Sequence, residues 1–421
     1  MKGLRESTHR DVHAVSLRPF ETRCRHLAAG LLIAWLALAP AALALSDAQQ
    51  LVVEAWRLVN QSYVDPGQFE QVHWTRLRQK ALEQPINQSE DAYRAIESML
   101  APLGDPYTRL LRPADYGDLQ SNTQGTVTGV GLQLGLRSPD QEVVVIAPLD
   151  GSPAAEAGIS SGMVVLAVDG QPSHDLGLEG TASRLRGPSG STVLVQLTGT
   201  AGVPIEVELE RRQVDLRPVR SKRLRVDNHT LGYVRIIQFS EPVPEQVSQA
   251  LQDLEAKGIE GLILDLRNNS GGLVNAGLAV ADQLLAGGPI VETRGRDGLG
   301  SPVLANPASL YDGPLLTLVN GGTASASEIL AGALQDDGRS QLLGAQTFGK
   351  GLIQSLIPLG DGSGLAVTVA RYVTPSGRDI QHQGINPDQP LSGAEPLNPG
   401  GDDDNWLEQA QRLLVEQIEA A

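Results

Sequence analysis

The stretch from residue 315 to 354 places a hydroxyl group at the junction of a strand and a helix, which limits the folds open to this chain. Leu315–Val319 is apolar and partly β-branched, as a short buried strand is. The Asn-Gly-Gly run at 320–322 interrupts it. Apolar residues then recur with helical spacing over 325–334. The sequence therefore predicts a strand, a tight turn and a helix that begins at Ser325.

The residues alone leave the role of Ser325 open. Ser325 and Glu328 have the spacing of a capping box, in which both side chains satisfy amide groups at a helix start. Farther along, Lys350 lies between two glycines in an apolar neighbourhood. Burial would lower the pKa of such a lysine and supply the neutral amine that a nucleophilic serine needs as a base. The alternative is an ordinary helix cap and a solvated turn lysine.

Several runs around these residues resemble the active-site signature of the carboxyl-terminal processing peptidases, a serine–lysine family also called tail-specific proteases. The matching runs are TASASEILAGALQD from residue 323, TFGKG from 347 with Gln354, DLRNNSGG from 265, TPSGR from 374 and GINPD from 384. The resemblance covers nearly all of the chain after residue 46.

The resemblance implies a catalytic role for each of four residues. Ser325 would be the nucleophile, and Lys350 the base that takes its proton and passes it to the leaving amine. Gln354 would orient the lysine through its side-chain amide. Asp336 stands where family members carry an aspartate, but Asp336-Asp337-Gly338 is also a good helix-terminating turn.

The family pattern also implies two backbone donors for the oxyanion of the tetrahedral intermediate. One would be the amide of Ala326, directly after the nucleophile, and the other would be the amide of Gly271. Glycine allows the close backbone approach that such a donor requires. The family usually has proline where this chain has Ser270, so the loop is expected to be less stiff here.

The hydrophobic periodicity changes along the chain between helical and strand-like spacing, which predicts a mixed α/β (α+β) architecture. We expect a helical amino-terminal region without chemistry of its own, a β-rich PDZ-like domain, an α/β peptidase core of alternating strands and helices, and a terminal helix. The expected boundaries are 1–44 for a signal peptide, 45–124, 125–212 and 213–399 for the three regions, and 400–421 for the last helix.

The β-rich region resembles a bacterial-type PDZ domain. Gly129, Val130, Gly131 and Leu132 would form its carboxylate loop, whose amide groups bind the end of a peptide while the peptide adds a strand to the sheet. A plain glycine turn is the alternative. This domain could gate the active site by rotating over it, with Arg186 as a candidate contact between domains.

The first 44 residues are typical of an export signal: two arginines precede an apolar run, and small residues follow at 42–44. An uncleaved anchor is the alternative. The only cysteine, Cys24, falls in this segment, which argues against a cysteine protease and a disulfide scaffold. Without residues 1–44, 27 basic and 46 acidic residues remain, which gives a net charge of −19. A chain with this charge repels nucleic acid.

Three rival functions fit the residues less well. Residues 344–351 nearly spell a phosphate-binding loop, but Gly351 replaces the magnesium-binding hydroxyl and a strand-like run follows. The second rival is histidine-based hydrolysis. The histidines form no metal-ligand pair, and only His382 lies in a motif that matches the family. An exported PDZ adaptor with an inert core is the third rival, which intact Ser325, Lys350 and Gln354 argue against. No cofactor or metal is expected.

The sequence therefore predicts an exported serine endopeptidase that recognises a free carboxyl terminus and removes a carboxyl-terminal extension. The resemblance is strongest to family members of oxygenic phototrophs, which implies a photosystem II reaction-centre precursor as substrate, in a thylakoid lumen or periplasm. It also implies that the substrate is membrane-associated. A general tail-specific protease remains the alternative.

Overall fold

Short helices dominate the start of the described chain. The computed structural model describes residues 45–137, 142–149, 152–160, 162–198, 203–215, 217–396 and 399–420, so the expected signal segment lies outside the described residues. The first elements are α1 Asp47–Ser62, α2 Gly67–Gln71, α3 Trp74–Leu82, α4 Ser89–Leu100, a 3-10 turn at Ala101–Leu103, β1 Arg109–Leu111 and α5 Pro113–Thr123.

Short antiparallel strands make up the next segment. They are β2 Thr126–Gly129, β3 Leu132–Arg137, β4 Glu142–Pro148, β5 Val164–Val168, β6 Gln171–Pro172, β7 Thr192–Thr198, β8 Pro204–Glu210 and β9 Arg212–Asp215, with helices α6 Pro153–Glu156 and α7 Ser173–Leu185 between them. Strands β3, β4, β5, β7 and β8 form one sheet in that order, and β2 pairs with β9. Alternate residues such as Val193, Val195 and Leu197 are buried in a core of this segment's own.

Strands and helices alternate through the rest of the chain. The elements are β10 Val219–Val226, β11 His229–Ile236, α8 Val243–Glu255, β12 Gly261–Asp265, α9 Val274–Leu284, β13 Pro289–Gly295, β14 Gly298–Leu299, β15 Val303–Leu304, β16 Leu315–Val319, α10 Ala326–Asp336, β17 Gln341–Gly344, β18 Leu352–Pro358, β19 Gly364–Val373, β20 Gln389–Pro390 and α11 Asn405–Ala420.

A six-stranded sheet forms the centre of this core, in the order β10-β11-β12-β16-β17-β20. All its pairs are parallel except β10 with β11. Its inner strands β12 and β16 are buried at every residue because both faces of the sheet are covered there. Leu262 and Leu264 pack with α8, α9 and α10 on one face, whereas Ile263 packs with α11 on the other. The ends of β12 and β16 therefore lie side by side.

A second sheet joins the amino-terminal helices to the core. Strand β19 pairs with β1, β13 and β18. Its residues Leu365 and Val367 are buried in one cluster with apolar residues of α1, α3 and α4. The amino-terminal region therefore packs on the strand that pairs with β18, the strand directly after Lys350.

The predicted mixed fold class is confirmed: helical, β-rich and α/β parts follow one another along the chain. In the part of the chain that the structure describes, no helix is both long and apolar enough to cross a membrane.

Candidate active site

Ser325 occupies a strained turn between β16 and α10. Its φ and ψ are 58° and −119°, and 8% of the residue is exposed. Ser325 and Glu328 form the predicted capping box, but an ordinary N-cap residue has extended backbone angles, so this serine is not a simple cap. Its amide donates to Glu328 Oε2 at 2.9 Å, and its carbonyl accepts from the Tyr372 hydroxyl at 3.0 Å. These bonds hold a backbone conformation that costs free energy for a residue with a side chain.

Gly271 lies directly against this turn. Its φ is 103°, and a Cβ at this position would lie 2.8 Å from Ser325 Cβ and 3.1 Å from the Ala326 nitrogen. No other residue type fits without moving one of the two loops. The Gly271 amide donates to Asn269 Oδ1 at 3.0 Å, whereas Ala326 is the first residue of α10, where helix geometry leaves amides without intrahelical partners.

Two buried asparagines fix the loops that follow β12 and β16. The Asn269 carbonyl accepts from the Ala324 amide and from the Ser327 hydroxyl, both at 2.9 Å. Asn320 Oδ1 accepts from the Asn268 amide at 2.8 Å. The loop of Gly271 and the turn of Ser325 are thereby bound to each other.

Glu328 joins the serine turn to the lysine segment. The residue is fully buried, and its Oε2 accepts from the amides of Ser325 and Lys350, each at 2.9 Å. Its Oε1 accepts from the Thr347 hydroxyl at 2.6 Å and from the Gly349 amide at 2.8 Å. The capping-box pattern predicted only the bond to Ser325. Glu328 is the only charged residue in the buried run 326–334, and this was the signal for further partners, because a buried carboxylate requires them.

Lys350 is half-buried, and its surroundings lower the pKa of its amine. Burial lowers the pKa of Lys350, and the charge of Arg109 lowers it further, while Glu328 opposes them. The Lys350 Nζ atom lies 5.0 Å from the ring centroid of Tyr107. Within the described residues, no hydrogen bond joins this amine to Ser325.

Gln354 lies on β18, opposite Thr368 of β19, at an irregularity in the strand pairing. Its side-chain nitrogen is buried and has no hydrogen-bond partner among the residues that the structure describes. The Gln354 side-chain amide is close to Lys350 in sequence, but it donates no hydrogen bond to the lysine.

Asp336 lies at the far end of α10, about 16 Å from Ser325 along a helix of ordinary rise. It pairs with Arg378 and accepts from the Ser376 amide at 2.9 Å. Burial raises the pKa of Asp336, but hydrogen bonds from Thr374 and Ser376 and the charge of Arg378 outweigh it, so the pKa lies below its usual value. The structure does not bring Asp336 to the serine.

The predicted carboxylate loop lines a cavity of about 270 Å³, to which all four of its residues contribute: Gly129, Val130, Gly131 and Leu132. Residues of the core line the same cavity. The Val130 carbonyl accepts from Ala154 and the Gly131 carbonyl from Leu149, which fixes the loop. A Cβ on Gly131 would lie 2.2 Å from Ser152 Cβ, so this position requires glycine.

Two further residues of the sequence analysis lie near these sites. Arg186 lines the same cavity and pairs with Asp118 of α5 at 3.6 Å. The His382 amide donates to the Gly349 carbonyl at 2.9 Å, while its ring contacts Gln381.

Comparison with known proteins decides the family. Residues 230–391 match peptidase family S41, and residues 118–198 match the PDZ domain. A carboxyl-terminal-processing protease of Synechocystis sp. is 47% identical over 86% of this chain and 86% of its own length. The chain belongs to peptidase family S41. This S41 peptidase is therefore a serine-type protease that carries a PDZ domain.

Other relatives of this S41 peptidase come from plastids. The chloroplastic carboxyl-terminal-processing peptidase 3 of Arabidopsis thaliana is 40% identical over 81% of this chain and 68% of its own length. Among solved structures, a photosystem II D1 C-terminal processing protease is 38% identical, with a TM-score of 0.60 over 88% of this chain and 98% of that one. The β-rich sheet continues through β8, beyond the residues matched as PDZ.

Proposed function

We propose that this S41 peptidase removes carboxyl-terminal extensions from precursor proteins, with Ser325 as nucleophile and Lys350 as general base. One observation carries the proposal. The amides of Ser325 and Lys350 both donate to a single oxygen of Glu328, so the two residues lie on either side of one atom. The lysine side chain, whose amine lies over the Tyr107 ring, would have to turn to the Ser325 hydroxyl to act as its base.

The reaction follows from this arrangement. The neutral amine of Lys350 takes the proton of the Ser325 hydroxyl as its oxygen attacks the carbonyl carbon. The C–O bond forms, and the carbonyl electron pair moves to oxygen. The ammonium then gives its proton to the leaving nitrogen as the C–N bond breaks, which releases the carboxyl-terminal fragment. Water attacks the resulting ester by the same route and frees the serine.

The oxyanion would be stabilised by the Ala326 amide and the positive end of α10. The Gly271 amide would be the second donor. Because it donates to Asn269 in this arrangement, it must share or exchange that bond when the oxyanion forms.

The PDZ loop would select the substrate. Amides of Gly129, Val130, Gly131 and Leu132 would bind the terminal carboxylate, and the cavity beside them would take the last side chains. Its other walls include Leu185 and Arg186 of the PDZ segment and Arg220 of the core. A cation beside the loop supports capture of a carboxylate.

The named relatives support a photosystem II reaction-centre precursor as substrate, because they include a photosystem II D1 C-terminal processing protease and proteases of cyanobacteria and chloroplasts. The proposed compartment is the thylakoid lumen or the periplasm, reached through the export signal of residues 1–44. A general tail-specific activity is the alternative.

The test uses purified protein and peptides that carry the carboxyl-terminal extension of that precursor, with a free or an amidated end. Products are identified by mass spectrometry. We expect one defined cut in the free-ended peptide, at least tenfold slower cleavage of the amide, and none with Ser325→Ala or Lys350→Ala. Lys257→Ala, at an exposed lysine, is the matched control and should keep the full rate.

The alternatives give different results. Equal cleavage of unrelated apolar tails would favour the general protease. Turnover by either active-site variant would contradict the serine–lysine pair, and equal rates on both peptide ends would contradict capture of the carboxylate.

A further inference from the structure

The Lys350 amine faces an aromatic ring instead of its proposed catalytic partners. Its Nζ atom lies 5.0 Å from the centroid of Tyr107, a residue of the amino-terminal helical region. Across the described residues, this amine makes no hydrogen bond to Ser325 or to Gln354. A lysine over a tyrosine ring at this distance is held by attraction between a cation and the ring electrons.

Hydrogen bonds fix the backbone that carries this ring. Asp105 accepts from the Tyr107 amide at 2.9 Å and from the Thr108 hydroxyl at 2.7 Å. Thr108 is 4% exposed, and its hydroxyl oxygen accepts from the Thr368 amide of β19 at 3.0 Å. Tyr107 is thus anchored to the sheet that carries Gln354, because Thr368 pairs with Gln354 across β18 and β19.

Two buried polar atoms on these strands have no partner among the described residues. They are the side-chain nitrogen of Gln354 and the hydroxyl oxygen of Thr368. Most buried polar groups in proteins are hydrogen-bonded, so an exception calls for an explanation. A polar network that is completed only when the lysine moves would account for the free amide of Gln354.

We propose that Tyr107 is a positioning residue that holds Lys350 as a cation in a resting arrangement, and that leaving this ring is a step in forming the serine–lysine pair. The inference rests on the proposed role of Lys350 as general base. The ring attracts only the ammonium form, whereas Ser325 requires the neutral amine. Tyr107 and Ser325 therefore compete for the lysine.

Four other charged or titratable residues belong to the elements around Lys350. Arg109 on β1 and Glu328 on α10 act on its charge in opposite directions. Arg371 of β19 lies opposite Leu352, and the backbone of His382 bonds to Gly349. Substitutions at Tyr107 leave all four in place, so a change in the pH response can be assigned to the ring.

The test measures how fast a fluorophosphonate probe labels the serine as a function of pH, which reports serine activation without peptide recognition. Tyr107→Leu removes the ring electrons, and Tyr107→Phe keeps them. With Tyr107→Leu we expect the midpoint of the acid limb of the labelling profile to fall by about 0.5 to 1 pH unit. Labelling below that midpoint should be about 3- to 10-fold faster than in the wild type. Tyr107→Phe should match the wild type.

Tyr107→Trp gives a second measurement if the leucine variant does not fold, because its stronger ring attraction should raise the midpoint. Equal midpoints in all folded variants, or equal shifts with leucine and phenylalanine, would overturn the inference. Slower labelling by a folded Tyr107→Leu protein at every pH would also overturn it. Failure of the proposed function looks different: wild-type labelling would then persist in Lys350→Ala.

Discussion

Replacing Glu328 with glutamine should separate the two halves of the active site. The buried carboxylate accepts four hydrogen bonds, two on each oxygen. Glutamine turns one of these oxygens into an NH₂ group, which faces two backbone amide donors at the Oε2 position, or the Gly349 amide and the Thr347 hydroxyl at the Oε1 position. A hydrogen bond to a charged group is worth about 1.5–3 kcal/mol, so losing one or two of them should lower the free energy of unfolding by about 1.5–6 kcal/mol.

Two assays follow this change. Urea unfolding measures the loss of stability, and hydrogen exchange over residues 347–351 should show faster exchange of the Gly349 and Lys350 amides. Cleavage should fall at least 100-fold, because the serine and the lysine are no longer held by one atom. The acid limb of the remaining activity should move to lower pH, since Glu328 raises the pKa of Lys350.

Glu416→Gln, at an exposed position of α11, is the matched control and should change stability by less than about 0.5 kcal/mol. Glu328→Gln would refute the reasoning if its stability stayed within that range or if exchange over 347–351 were unchanged. A cleavage rate within twofold of wild type would also refute the positioning role.

Two further substitutions test the electrostatics of the site. Arg109 lowers the pKa of Lys350, and the proposed mechanism requires the neutral amine, so Arg109→Gln should move the acid limb of the pH–rate profile to higher pH; an unmoved limb at low salt would contradict this. Asp336 has a lowered pKa, so its contribution to stability is present at neutral pH and is lost as pH falls through its folded pKa. Asp336→Asn should lower the free energy of unfolding by about 1–2 kcal/mol at pH 7 and by little at pH 3, while the cleavage rate per folded molecule stays within about threefold of wild type. A roughly 100-fold loss of cleavage rate in a folded variant would instead indicate a catalytic role.

Local patterns in the sequence were sufficient to predict the strand, turn and helix around Ser325. Leu315–Val319 is a strand as expected, and the helix expected over 325–334 is observed as Ala326–Asp336. The PDZ-like strands were predicted from alternation, which depends only on neighbours in sequence. Each of these features is set by a few consecutive residues, so no knowledge of the fold was needed.

Contacts between distant segments could not be predicted in this way. The amino-terminal region was assigned no chemistry, yet it places Tyr107 against Lys350. The sequence predicts a terminal helix over 400–421, but it does not predict that Asp404, at the start of this segment, binds the fully buried Arg267 next to the loop of Gly271. Helical periodicity identifies a buried face, but it does not identify the residue that will lie opposite it.

The backbone strain at Ser325 explains why the site needs partners beyond its reacting groups. A non-glycine residue at a φ of 58° costs on the order of 1–3 kcal/mol and persists only where its surroundings fix it. Glu328 and Tyr372 bind the two polar backbone atoms of this serine, and Gly271 leaves no room for the turn to relax. The proposed nucleophile is therefore held in place by the folded core before any substrate arrives, and the half-buried lysine is the part of the proposed pair that has to move.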